Sequence, residues 1–247
     1  MTIQSIGIVG FGRFGRVLHR LFKSRFDIYV TSSSHQKEDK EGICFRSLEE
    51  TVYLSDALFL AVPIRTIKET AVKIKPFLCP GHLVIDVCSV KEMPFMELTS
   101  ILAGTDTHIW PTHPMFGPDS AEESFKGLTW VSCEEAIDPE IIAPLISHLE
   151  EEGLVIYRTD CKSHDRIAAR TQGLTHLIGR VLDELQLEDT PIDTLGYKRL
   201  TAVRDQTCND SLELFLDLMH YNRFSSEVQT AFEEAVVKVS SRLRGDP

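Results

Sequence analysis

The sequence predicts an α/β N-terminal domain built on a mainly parallel sheet, followed by an all-helical C-terminal domain. Three observations predict it. A short apolar run, Ile3 to Val9, passes through a glycine-rich turn into apolar residues at helical spacing from Phe14 to Phe22. Strand-like and helix-like segments then alternate up to about residue 160. From Ser163 onward, residues 163–187, 193–220 and 225–243 carry apolar side chains three and four apart and no strand pattern.

Taken in order, the expected strands are Ile3–Val9, Asp27–Thr31, Ile43–Arg46, Ala57–Val62, Leu83–Val87, His108–Trp110, Leu128–Val131 and Leu154–Tyr157. Helices are expected near 65–75, 91–102 and 139–152. The two expected domains are 1–160 and 161–247, joined between Arg158 and Ser163 without a flexible linker. So tight a junction is expected to leave a cleft between them, a common place for a ligand.

Composition narrows the function classes. With 247 residues, 43% hydrophobic and 26% charged, the chain can bury a real core and is not disordered. A formal net charge of −11 disfavours nucleic acid and anionic membrane surfaces as partners and leaves room for a small anionic ligand in a local basic site. The six cysteines form no Cys-x-x-Cys and no Cys/His clip, so reduced thiols and no metal site are expected. The longest apolar run, Ala57 to Ile64, is far short of the ~20 residues of a membrane span, and no basic leader precedes the first strand. A cytoplasmic location is expected.

Gly10-Phe11-Gly12-Arg13-Phe14-Gly15 matches G-x-G-x-x-G between a strand and a helix, the context that a Rossmann dinucleotide site requires. The first glycine allows the turn, the second admits a pyrophosphate, and the third lets helix and strand pack. Free N–H groups at the helix start then face the anion. At the end of the second strand an NAD site wants a carboxylate for the ribose hydroxyl, but the chain offers Thr31-Ser32-Ser33-Ser34-His35, with Lys37 beyond. NADP is therefore favoured over NAD, with Ser32, Ser33 and Arg13 as candidate phosphate or adenine contacts; a plain polar turn is the alternative.

Asp86-Val87-Cys88-Ser89-Val90-Lys91 and His113-Pro114-Met115-Phe116-Gly117-Pro118 each follow a strand, at the functional edge of such a sheet. Taken singly, Ser89 reads equally well as the N-cap of the next helix, and His113-Pro114 as a turn. Together with the later segment HDRIAARTQGLTH, from His164 to His176, they resemble the prephenate/arogenate dehydrogenase family of tyrosine biosynthesis. The stretches TPIDTLGYKRL and DSLELFLDLMHYN look most like its plant-type arogenate dehydrogenase branch.

The resemblance implies a nicotinamide-binding N-terminal domain, a helical domain that pairs two subunits, and a substrate held in the cleft between the domains. It makes His113 the catalytic base and Ser89 the group that hydrogen-bonds His113 and the substrate hydroxyl. It places His164, Gln172 and His176 in the substrate site. Prephenate and arogenate are cyclohexadienols with a ring carboxylate at C1 and a hydroxyl at C4. Hydride loss from C4, proton loss from its hydroxyl and departure of carbon dioxide from C1 give an aromatic phenol. A neutral histidine, with a reference pKa of about 6.5, is a natural acceptor for that proton.

Other readings stay open beside these. Ser163 and Asp165 could cap a helix, making His164-Asp165 capping chemistry. Gln172 and His176, four apart, share a helix face. Thr207-x-x-Asp210 resembles the acidic pattern of plant-type arogenate enzymes, so Asp210 is the candidate partner for the ammonium that arogenate has and prephenate lacks; a local turn at Asn209-Asp210-Ser211 is the alternative. Many prephenate dehydrogenases carry Thr-Arg where this chain has Thr207-Cys208, and Arg204, Lys198, Arg199, Arg170 and Arg166 are the candidate replacements for that carboxylate-binding arginine. A prephenate dehydrogenase is the alternative activity. The rival β-hydroxyacid dehydrogenase group needs a helix lysine that 163–187 lacks, and a non-catalytic NADP sensor needs neither His113 nor Ser89.

Overall fold

The computed structural model describes residues 2–32, 42–135 and 137–245. It divides into two compact units, Met1–His164 and Asp165–Pro247.

The first unit is built on a seven-stranded sheet in the order β2-β1-β3-β4-β5-β6-β7. Its strands are β1 (Ser5–Val9), β2 (Asp27–Thr31), β3 (Ala57–Leu60), β4 (Leu83–Asp86), β5 (His108–Pro114), β6 (Thr129–Cys133) and β7 (Val155–Thr159). Every pairing is parallel except β5 with β6. The helices of this unit are α1 (Arg13–Phe22), α2 (Leu48–Tyr53), α3 (Ile67–Ile74), α4 (Glu92–Ile101) and α5 (Pro139–Glu151). Central strands with both faces covered read as continuous apolar runs, as in β3 and in Leu83-Val84-Ile85 of β4, all buried. Leu18 and Phe22 of α1 and Leu145 and Leu149 of α5 join Phe59, Trp110 and Trp130 of the sheet in one core.

Register decides where the chemistry falls. Val9 pairs with both Thr31 and Leu60, Leu60 with Asp86, and Asp86 with Pro111. Gly10, Ser32, Ala61, Val87 and the pair Thr112-His113 therefore lie along one sheet edge, at the carboxyl ends of the parallel strands.

Two expectations for this unit change. Ile43–Arg46 forms no strand among the described residues; Phe45 makes a single parallel bridge to Val30. Helix α2 was not anticipated, although Ser47-Leu48-Glu49-Glu50 carries its signal. The Ser47 hydroxyl accepts from the Glu50 N–H while the Glu50 carboxylate accepts from the Ser47 N–H, a capping box.

The division between units falls within α6 (Cys161–Ala168), which continues through a π turn at Ala169–Gly173 into α7 (Leu174–Glu184). The second unit adds α8 (Leu195–Cys208), α9 (Leu212–Tyr221) and α10 (Ser225–Arg244). The segment 193–220, expected as one helical stretch, is two helices capped by Thr194 and Ser211, whose hydroxyls accept from the N–H groups of Tyr197 and Leu214. Gly179 lets α8 approach α7, for a Cβ there would stand 1.8 Å from the Thr207 hydroxyl oxygen. Gly245, at φ 79°, ends α10 in the left-handed region. Among the described residues no helix is long and apolar enough to cross a membrane.

Candidate active site

The glycine turn has the geometry that a dinucleotide needs. Gly10 sits at φ +98°, and a Cβ there would meet the Ala61 carbonyl oxygen at 2.3 Å. At Gly15 a Cβ would stand 2.3 Å from the Gly10 carbonyl oxygen, so only glycine lets α1 start so close to β1. A Cβ on Gly12, by contrast, would meet nothing within 4 Å among the described residues. That open space is the approach for a pyrophosphate, and the first turn of α1 carries no acidic side chain to repel one. A cavity of about 970 Å³ opens here, lined by Gly10, Gly12, Ser32, Arg46, Pro63 and Lys73 among others.

The residues expected around this cradle divide by role. Phe11 is buried against Phe45, edge to face at 5.4 Å, and Phe14 packs near Phe116, so their side chains build core while their backbone passes the cradle. Arg13 is paired with Asp119, both side chains exposed. Ser32 lines the cavity; Ser33 lies outside the described residues. Arg46, which the sequence reading passed over, lines the same cavity, because its N–H donates to the Val30 carbonyl and sets it beside the end of β2.

At the ends of β4 and β5 a buried polar cluster forms. Lys91, fully buried, is paired with the Asp86 carboxylate and donates from Nζ to the Thr112 carbonyl at 2.5 Å. Burial alone would lower the Lys91 pKa, but Asp86 outweighs it and holds the ammonium above the usual lysine value. His113, next in the chain and 3% exposed, has Nδ1 2.8 Å from Nε2 of His164. Burial first, then His164 and Lys91, holds the His113 pKa well below the ordinary histidine value. A buried imidazole kept neutral in this way is a proton acceptor in its working state.

Three expectations are corrected here. Ser89, half-buried, makes no hydrogen bond to His113 among the described residues; His164 occupies that nitrogen. Ser89 does not cap α4 either, since the helix starts after Lys91 with no side-chain cap. Ser163 is not the cap of α6. Asp160 is, its carboxylate accepting from the Ser163 N–H at 2.7 Å.

In the second unit Gln172, His176 and Arg180 follow one another at four-residue spacing. Gln172 Oε1, His176 Nδ1 and Arg180 Nε are each buried without a hydrogen-bond partner among the described residues. Thr207 does not offer a free hydroxyl: it is 2% exposed, and its Oγ1 donates within its own helix, 2.9 Å from the Val203 carbonyl. The Asp210 carboxylate makes no ion pair among the described residues and lies near enough to His176 to act on its charge. Of the candidate replacement cations, Arg204 is spent on the Leu187 carbonyl and Asp205, and Arg166 lies over the Phe224 ring.

The family model for the nucleotide-binding domain of prephenate dehydrogenase matches residues 15–158, more than half of the chain. The chain belongs to the prephenate dehydrogenase family. Residues 181–247 match a second model, the TYRAAT1-like C-terminal domain. Arogenate dehydrogenase 2, chloroplastic, of Arabidopsis thaliana is 32% identical over 97% of this chain and 70% of that protein. Arogenate dehydrogenase 1, chloroplastic, of the same plant is 33% identical over 97% of this chain, which spans only 39% of that longer protein. Among solved structures, prephenate dehydrogenase from A. aeolicus in complex with hydroxyphenyl propionate and NAD+ superposes with a TM-score of 0.78 at 20% identity, over 99% of this chain and 92% of that one. The Synechocystis arogenate dehydrogenase does so at 0.69 and 23%, over 97% and 93%. At those identities the structures show the fold, a nucleotide-binding domain followed by helices.

Membership makes the protein an oxidoreductase that couples oxidation to decarboxylation. The residues present fit its dinucleotide: the Gly10, Gly12 and Gly15 cradle would hold the pyrophosphate, with Ser32 and Arg46 at the ribose end. Of the cluster at the strand ends, sequence reading found His113 and His164 but not Asp86 and Lys91. A lysine and an aspartate five apart around a strand end were the signal, yet surface pairs look the same in sequence.

Proposed function

We infer that this protein converts arogenate to tyrosine by oxidative decarboxylation with NADP, as a homodimer. One observation carries the reading: His113 is buried, held neutral, and hydrogen-bonded at Nδ1 to His164. For Nε2 to accept a proton, Nδ1 must carry the ring's own proton and donate it to Nε2 of His164. With the proton so placed, His164 is the acceptor that holds His113 in its basic tautomer.

A dinucleotide held by the Gly10, Gly12 and Gly15 turn would supply, in its nicotinamide ring, an acceptor for the hydride at C4 of the substrate. His113 Nε2 accepts the proton of the C4 hydroxyl as that carbon becomes a carbonyl. The ring carboxylate leaves as carbon dioxide, its bonding electrons aromatise the ring, and the phenolate oxygen recovers the proton from His113. Aromatisation supplies the driving force, so positioning is the protein's main task.

Arogenate over prephenate is supported by the Asp210 carboxylate, which makes no ion pair among the described residues and is an acceptor for the ammonium that only arogenate carries. NADP over NAD is supported by Ser32 and Arg46, which line the cavity at the end of β2, while the Glu50 carboxylate on the same lining is engaged in the capping box with Ser47. Dimerisation is supported by the thin core of the second unit. Among its described residues only Ala168, Ala169 and Leu218 are buried apolar side chains, while Leu200, Leu212, Val236, Val237 and Leu243 stand exposed. Initial rates on arogenate and prephenate, each with NADP and NAD, test the reading. Turnover of neither cyclohexadienol overturns it, and a preference for prephenate or for NAD overturns the corresponding half.

A further inference from the structure

Helix α8 ends in Thr207-Cys208 and so brings no cation of its own to the neighbourhood of Asp210. The facing helix does. Gly179 has no side chain to hold α8 away, and Cys208 Sγ sits 3.7 Å from the Gly179 carbonyl. The next residue, Arg180, thereby reaches across: Nη2 lies 2.6 Å from the Asp210 carbonyl oxygen and 3.4 Å from that of Thr207. The Phe215 ring, 5.7 Å from the guanidinium carbon, flanks the same group.

These contacts fix the guanidinium but do not satisfy it. Among the described residues only Nη2 is bonded; Nε is buried with no acceptor there, and one and two helical turns earlier His176 Nδ1 and Gln172 Oε1 are orphaned in the same way. Native proteins rarely leave a row of buried polar atoms unpaired unless something else completes the bonding. Burial depresses the His176 pKa, while the Asp210 carboxylate and the Arg180 guanidinium act on it in opposite directions. Arg180, bonded to the Asp210 carbonyl, and the Asp210 carboxylate thus bring opposite charges to the neighbourhood of His176.

We propose that Arg180, together with Asp210, forms the site for the amino-acid head of the substrate, Arg180 taking its carboxylate and Asp210 its ammonium. The two groups of an α-amino acid hang from one carbon, so they need opposite charges on neighbouring residues, and the bond from Nη2 to the Asp210 carbonyl makes Arg180 and Asp210 neighbours. An arginine presents several N–H groups in a plane suited to a carboxylate, and the bonds from Nη2 to two backbone carbonyls hold that plane in place before the ligand arrives. The assignment rests on the reading of the protein as an arogenate dehydrogenase. It adds the residue that recognises the part of the substrate remote from the reacting ring.

Arg180→Gln and Arg180→Lys, with melting curves to report folding, test it by kinetics and by titration of L-tyrosine, which keeps the amino-acid head and lacks the ring carboxylate. Arg180→Gln should raise KM for arogenate by about thirtyfold or more with kcat within about threefold, because the head is held alike in ground and transition states. Its affinity for L-tyrosine should fall at least tenfold, while KM for the dinucleotide stays unchanged. Arg180→Lys keeps a cation without the planar fork and should fall between; if Arg180→Gln does not fold, a tenfold rise in KM for Arg180→Lys upholds the proposal and an unchanged KM overturns it. Unchanged KM and tyrosine affinity in a folded Arg180→Gln overturn it too, leaving a purely structural arginine. Wild-type protein inert on both cyclohexadienols overturns the dehydrogenase reading instead. In that case the tyrosine titration still decides Arg180: binding lost in Arg180→Gln upholds the amino-acid site, and no binding by wild type rejects it.

Discussion

His113 and His164, 51 positions apart in the chain, face each other edge to face with Nδ1 of the first 2.8 Å from Nε2 of the second. His113→Asn should fold and bind dinucleotide yet lose roughly 10²–10⁴ in kcat, the range for a missing general base. His164→Gln keeps a carbonyl acceptor for the Nδ1 proton and should retain most of the rate, whereas His164→Leu should lose tenfold or more. Steady-state kinetics on the three variants check this, and equal loss in the Gln and Leu variants would contradict tautomer selection.

The base must be neutral to accept a proton. Burial, His164 and Lys91 all lower the His113 pKa, so kcat/KM should hold as pH drops through about 6.5 and decline only at lower pH. Removing the His164 contribution should move that acid limb upward. A pH profile of kcat/KM for wild type and His164→Leu measures both, and a wild-type limb above about 6.5 would refute the assignment.

Gly12→Ala should leave the apo protein's Tm unchanged, because the added methyl meets nothing within 4 Å. It should also abolish most of the Tm rise that dinucleotide gives the wild type, since the open space is where the pyrophosphate comes closest. At the ribose end, Ser32→Asp should weaken NADP far more than NAD through like-charge repulsion. Thermal shifts with each dinucleotide decide both, and equal weakening of the two by Ser32→Asp would remove Ser32 from the specificity argument.

Asp210→Asn should lower kcat/KM for arogenate on the order of thirtyfold, the equivalent of about 2 kcal/mol for a partner removed from a desolvated ion pair. Prephenate turnover should stay equal or improve. Parallel loss on both substrates would return Asp210 to the role of a turn residue.

The second unit should pair with a copy of itself. Sedimentation or light scattering at micromolar concentration should give about twice the 27.9 kDa of one chain. A charge placed among the exposed side chains of α10, as in Val237→Glu, should shift that particle toward the monomer; a wild-type monomer would reject the dimer outright.

What the sequence by itself determined is local. The glycine turn between β1 and α1, the start of α5 at Asp138-Pro139 and the strand of Asp27–Thr31 each follow from neighbouring residues, because turn geometry, capping and alternation are set within a few positions. The motifs after β4 and β5 were legible for the same reason, since a parallel strand must end at the functional edge. Which side chains meet there was decided only by the tertiary structure. Ser89 and His164 were both within the motifs, but register and the start of α6 give the imidazole of His164, not the hydroxyl of Ser89, to His113. The pairing of Lys91 with Asp86 depends on a dry strand end that no spacing announces. Arg180 reads in sequence as one basic residue on an amphipathic helix; the absent side chain of Gly179 lets α8 close on it and turns it toward Asp210.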